Sequence, residues 1–170
     1  MYNLFKLFYK SLKEKKITYS YGGIDNLLIH IFKKKENGFY VDVGCGHPIK
    51  NNNTYLLHKK GWHGINVDLS KSCIELFNYT RKSDHNVNIA ISDKKGHAEL
   101  FFYHDKSPIN TIDEKTYIYQ KAKITKKIKV STDTLDSIIE KSPFKNSQID
   151  FMSIDVEGSE LNVLKNFNFL

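Results

Sequence analysis

Short apolar runs and helically spaced apolar residues alternate along most of the chain. "FYVDVG" (39–44) is a run of aromatic and β-branched residues that stops at a glycine, as a buried strand does. "NTYLLHKKG" follows at helical spacing, capped by Asn53 or Thr54 and closed by Gly61. "GINVDLS" repeats the strand pattern, "CIELFNYT" the helix pattern, and "VNIAIS" predicts a third strand. Ahead of them, "YGGIDNLLIHIFKKKENG" sets Ile24, Leu27, Leu28 and Ile31 at helical spacing and stops at Asn37-Gly38. Strand and helix in such quick succession imply parallel strands joined by right-handed crossovers, an α/β architecture with helices packed on the sheet.

The second half changes rhythm. "HAELFFYH" alternates like a half-buried strand, "KSPINTID" is a polar loop and "ITKKIKVS" is a further strand. "TDTLDSIIEKSP" predicts a helix opened by Thr132 or Asp133, with Leu135, Ile138 and Ile139 on one face, and stopped at Pro143. "IDFMSIDVEG" is another buried strand and "SELNVLKNF" a helix leaving its end. An open sheet of this kind needs one more strand beside "IDFMSID", or that strand faces water as an edge, so the expectation is a domain that is C-terminally incomplete. No repeat or linker marks a second domain, which gives an N-terminal helical segment at 1–38 and a ligand-binding domain at 39–170.

Within the first segment, "MYNLFKLFYKSLKEKK" puts Leu4, Phe5, Phe8 and Leu12 on one helical face, with Lys6, Lys10, Lys13 and Lys16 around the rest. Lysines interrupt the apolar run too soon for a membrane span. The pattern predicts an amphipathic helix laid on the domain, with peripheral contact to an anionic membrane as the alternative.

A net charge of +7 and a pI near 9.2 raise nucleic acid as a partner. However, Arg81 is the only arginine, and phosphate and base recognition favour the guanidinium fork, so no specific nucleic acid is expected. The chain's two cysteines, Cys45 and Cys73, belong to no CxxC pair or zinc-ligand spacing and read as free thiols of a reducing, cytoplasmic compartment.

Three strand ends carry acids or glycines, where doubly wound sheets bind ligands. In Asp42-Val43-Gly44-Cys45-Gly46, two glycines allow a tight turn and close approach of a ligand. Asp68 closes "INVD" at the spacing of an acid that accepts both hydrogen bonds of a ribose diol, with capping of the next helix as the competing role. A nicotinamide dinucleotide would bring a third glycine where Ile49 stands, and no phosphate loop is present. An adenosine-like ligand without a pyrophosphate remains, and S-adenosylmethionine fits, with its ammonium near Asp42. Asp155 and Glu157 leave the third strand end side by side, as candidates for base, metal or substrate contacts, unless Glu157 caps the helix that follows.

In this order, "FYVDVGCGHPIKNNNTYLLHKKGWHGINVD", "AISDKKGHAELFFY", "VSTDTLDSII" and "IDFMSIDVEGSELNVLKNF" resemble the FkbM family of S-adenosylmethionine-dependent methyltransferases. The resemblance implies a Rossmann-like class I methyltransferase fold, with a mostly parallel sheet, helices on both faces and the last strands missing. It also implies O-methylation of a hydroxyl on a sugar, polysaccharide or related metabolite, so that a small molecule or glycan is the acceptor. By position, Asp42, Gly44 and Gly46 would form the first cofactor motif, Asp68 the ribose acid, Ser92 and Asp93 would lie near the adenine, and Asp155 and Glu157 would stand on the acceptor side. A β-turn at Asp93-Lys94-Lys95-Gly96 is the local alternative for Asp93. His47 is a candidate base, a divalent metal stays open, Trp62 and Phe77 are assigned to the core, Asn110 and Thr111 to substrate contacts, and Lys121 to Lys129 to a solvated strand face. A non-catalytic cofactor-binding remnant and a basic nucleic-acid or membrane-surface binder are the rival functions.

Overall fold

The computed structural model describes residues 18–120 and 124–169. The amphipathic pattern at Leu4 to Leu12 and part of the lysine-rich stretch after Gln120 lie outside the described residues. Four parallel strands form the main sheet: β1 (Phe39–Val43), β2 (His63–Asp68), β3 (His85–Asn88) and β7 (Phe151–Ile154), in the order β3-β2-β1-β7. A second sheet contains β4 (Ala90–Ile91), β5 (Gly96–Phe102) and β6 (Lys126–Asp133), with β6 central, parallel to β4 and antiparallel to β5. The helices are α1 (Ile24–Ile31), α2 (Tyr55–His58), α3 (Lys71–Thr80), α4 (Glu114–Gln120), α5 (Leu135–Lys141) and α6 (Glu160–Leu164). This is the Rossmann-like architecture expected of the sequence, with β7 at one edge of the main sheet.

Alternation along β1 and β2 sorts their side chains onto two faces. Phe39, Val41, Val43, Ile65 and Val67 pack with Leu135 and Ile138 of α5, Val163 of α6 and Ile91 of β4 in one apolar cluster. Tyr40, Asp42 and Asn66 carry the opposite face, under α2 and α3. Leu28 of α1 joins Tyr40, Leu57 and Trp62 there, and Phe77 packs with Cys45 and Ile74, so Trp62 and Phe77 are core residues as expected.

Four local features depart from the sequence pattern. "VNIAIS" is two strands, because β2 ends opposite Asn88 and leaves the following backbone no partner there; Ala90 and Ile91 pair with Thr132 and Asp133 of β6 instead. For the same reason Thr132 and Asp133 are strand residues, and the cap of α5 is Thr134, whose hydroxyl accepts from the Ser137 N–H at 3.2 Å. Helix α4 had no clear apolar signature, and Tyr117 anchors it by stacking on Phe101 at 4.4 Å. Finally, Leu28 is buried in α1, while Ile24, Leu27 and Ile31 are exposed.

Candidate functional site

The carboxyl ends of β1, β2 and β7 bring together the glycine turn, Asp68 and the acidic segment after β7. Gly44 and Gly46 both have positive φ, 76° and 57°, a region that L side chains rarely occupy. Their surroundings differ. A Cβ on Gly44 would sit 1.9 Å from the carbonyl oxygen of Asp155, so this glycine lets the end of β7 pass close by. A Cβ on Gly46 would meet nothing within 4 Å, and that side of the turn is open to a ligand. Parallel pairing continues into the turn: Gly44 and Cys45 N–H both donate to the Val67 carbonyl, and Asp155 N–H donates to the Val43 carbonyl.

Asp68 joins the turn to α3. Its Oδ2 accepts from Gly46 N–H at 2.7 Å and its Oδ1 from Ser70 N–H at 2.7 Å. The helix cap itself is the Ser70 hydroxyl, which accepts from Cys73 N–H at 3.2 Å. Each Asp68 oxygen retains acceptor capacity after one backbone bond, which is what a diol needs. Burial raises the Asp68 pKa, the two amide bonds oppose this, and Asp105 adds repulsion. Asp105 hydrogen-bonds with the Ser72 hydroxyl at the start of α3.

Asp42 lies beneath the turn and is 3% exposed. Its Oδ2 accepts from the Thr54 hydroxyl at 3.0 Å and from Asn52 Nδ2 at 3.4 Å. Burial pushes its pKa up to about 6, against the opposing effect of the nearby Arg81 guanidinium and hydrogen bonds from Thr54 and Ser153. His47 has a local job: its Nδ1 accepts from the N–H groups of Ile49 and Lys50, at 3.1 and 3.2 Å. Burial and the neighbouring Lys50, Lys106 and Arg81 press its pKa down to about 4. With Nδ1 so engaged, the neutral ring carries its proton on Nε2.

Of the acidic pair, Asp155 is exposed and Glu157 is half-buried. Burial, Asp155 and Glu160 raise the Glu157 pKa, and Gln120 Nε2 donates to its Oε2 at 3.1 Å. Glu157 does not cap α6. Ser159 holds that position, and the Glu160 carboxylate accepts from the N–H groups of Val156 and Gly158. The Glu157 carbonyl accepts from the Thr111 hydroxyl at 2.7 Å, which ties the loop after β5 to the exit of β7. Asn110 closes that same loop through Tyr103 N–H and the His104 carbonyl, and Thr111 is buried.

Ser92 and Asp93 follow β4, in the second sheet. Ser92 N–H donates to the Asp133 carbonyl, and Asp93 is held by Lys165 and Asn166 beyond α6. None of these bonds reaches Asp68 or the glycine turn. A hollow of about 330 Å3 lies near the opposite ends of β1 and β2, lined by Phe32, Lys33, Lys35, Asn37, Leu57 and Trp62, and shares no residue with the candidates. Among the described residues, no group of three or more His, Cys, Asp or Glu side chains converges as metal ligands, and no helix is long and apolar enough to cross a membrane.

Sequence reasoning missed Arg81, which follows α3 and is 1% exposed. Its Nη1 donates to the Thr54 hydroxyl at 2.7 Å and to Tyr40 OH at 3.1 Å. Its Nη2 donates to Asn52 Oδ1 at 2.6 Å and to the Pro48 carbonyl. The guanidinium lies 4.7 Å from the Phe77 ring centroid, a favourable cation–π distance. The available signal was composition: one arginine among 26 lysines and arginines.

A glycine turn after the first strand, an acid ending the second and an acidic exit from the strand beside the first meet at one end of the main sheet. The family model of the methyltransferase FkbM domain matches residues 42–169. The chain belongs to the FkbM methyltransferase family. Comparison with curated proteins and with solved structures gives no significant match. The FkbM domain spans every candidate residue, from Asp42 to Glu157, together with Arg81.

Proposed function

We propose that this FkbM-family protein is a cytoplasmic O-methyltransferase that moves the methyl group of S-adenosylmethionine to a hydroxyl of a sugar, polysaccharide or related metabolite. The observation that carries the reading is Asp68, which is anchored to Gly46 N–H and to Ser70 N–H yet keeps acceptor capacity on both oxygens beside an open glycine. That arrangement suits a ribose diol, while Asp42 supplies negative charge beneath the turn. The class of acceptor is the expectation carried over from the resemblance of the sequence.

When bound, the sulfonium offers an electrophilic methyl carbon and a good leaving group. Held by Asp68 and the glycine turn with Asp42 beneath, it would supply that methyl group to the acceptor hydroxyl, whose proton a residue of the chain would take up. The chain's contribution is chiefly orientation and exclusion of water. Glu157, with its raised pKa and its bond from Gln120, is suited to receive the proton, with Asp155 beside it on the acceptor side. His47 presents a donor through Nε2.

Incubation with methyl-labelled S-adenosylmethionine and a panel of glycan and small hydroxyl acceptors tests the reading. Label should appear as an O-methyl group. Glu157→Gln should lower turnover by about 10² or more with cofactor affinity retained. A folded chain that binds cofactor and transfers label to no hydroxyl contradicts the proposal.

A further inference from the structure

The guanidinium of Arg81 has an unusual set of partners. Three of its four acceptors, the Pro48 carbonyl, Asn52 and Thr54, lie in the segment that follows the glycine turn, and the fourth, Tyr40, lies in β1. Two of them pass the connection onward. Asn52 receives Arg81 on Oδ1 and, through Nδ2, donates to the Cys45 carbonyl at 3.1 Å, between the two glycines. The Thr54 hydroxyl receives Arg81 and sits within donor reach of both Asp42 Oδ2, at 3.0 Å, and Asn52 Oδ1, at 2.9 Å, with one proton to give. Arg81 therefore grips the turn at Pro48 directly and at Cys45 through Asn52, and reaches the acid beneath it through Thr54.

Stability alone is a weak reason for this arrangement. A buried cation pays a large desolvation penalty, and apolar residues of similar volume often stabilise a core as well or better. What an apolar residue lacks is a planar fork that fixes several acceptors at set positions. Lysine lacks it too, since an ammonium on a flexible stem does not reproduce the fork.

We infer that Arg81 is a positioning residue for the cofactor turn: acting through Asn52 and the Pro48 carbonyl, it sets the backbone of Gly44 to Gly46 against Asp68. The inference rests on the cofactor reading above for its consequence, but its structural half stands without ligand.

The test uses the full chain, with Asn52→Ala as the first variant because it cuts the link to Cys45 and leaves the buried charge in place, and Arg81→Lys as the second. Amide resonances of Gly44, Cys45 and Gly46 should move in ligand-free Asn52→Ala while those of β5 and β6 stay. Titration with S-adenosylhomocysteine should show affinity lowered about tenfold or more in both variants, and the losses should not multiply in the double variant. Unmoved glycine amides in Asn52→Ala, or affinity within about twofold of wild type in both variants, overturns the inference. Failure of wild type to bind S-adenosylhomocysteine while the glycine amides still move upholds the positioning and defeats the cofactor reading instead.

Discussion

The two faces of the main sheet are both buried and are built from opposite materials. Phe39, Val41, Val43, Ile65 and Val67 meet α5 and α6 through apolar contact alone. Tyr40, Asp42, Asn66 and Asp84, with Arg81, fill the other side with hydrogen bonds: Tyr40 OH to Asp84 at 2.5 Å, Asn66 to Asp84 at 3.0 Å and to Asn86 at 2.8 Å, and the four bonds of Arg81. An apolar face tolerates changes that keep volume, since its contacts are non-directional. A polar face has no such tolerance, because each buried partner left alone keeps its full desolvation cost. The polar face lies under the glycine turn, where directional bonds hold a backbone in place, and the apolar face carries the general stability.

Substitutions on the two sides should separate these roles. The largest effect is expected from Arg81→Met, which removes the guanidinium that opposes the cost of burying Asp42 and leaves the Pro48 carbonyl, Asn52, Thr54 and Tyr40 without their donor; it should cost about 3 to 5 kcal/mol in denaturant unfolding. Ile65→Ala on the apolar side should cost about 2 to 5 kcal/mol, with cofactor affinity of the folded fraction unchanged; an affinity loss there would break the distinction between the faces. Asp68→Ala should weaken S-adenosylhomocysteine binding by about 1 to 3 kcal/mol with little change in unfolding midpoint.

The smallest effect is one of pH. The Asp42 pKa is raised in the folded state to about 6 from an ordinary value of 3.8, so its ionisation opposes folding above about pH 6 and this opposition is relieved as pH falls. Asp42→Asn removes that dependence. Relative to the variant, wild type should gain about 1 kcal/mol between about pH 7 and pH 5. The comparison must be made against the variant, because His47, with its lowered pKa, loses stability over an overlapping range. A constant difference would mean that Asp42 does not titrate in this range.

Much of this division is visible in the sequence. "FYVDV" and "INVD" read as buried strands, and the acids they carry point to the end of the sheet where the sequence leads one to expect a ligand. The glycine turn and the Asp155-Glu157 segment were legible because their residue types are rare at strand ends. Periodicity fails where the partner is distant. "VNIAIS" reads as one strand, but its backbone bonds divide between β2 and β6. Arg81 sits after a helix, 27 residues from Thr54 and 41 from Tyr40, and no local pattern announces those bonds. His47 was legible as a residue near the turn; its two amide bonds depend on how the turn closes.

The central claim is that Asp68 and the glycine turn form an adenosine pocket. Calorimetric titration of the full chain with S-adenosylhomocysteine, beside Asp68→Ala, tests it most directly. The account predicts saturable binding at one site by wild type and a loss of about tenfold or more in the variant. Equal affinity in the two proteins, or no binding by a folded wild type, would contradict it.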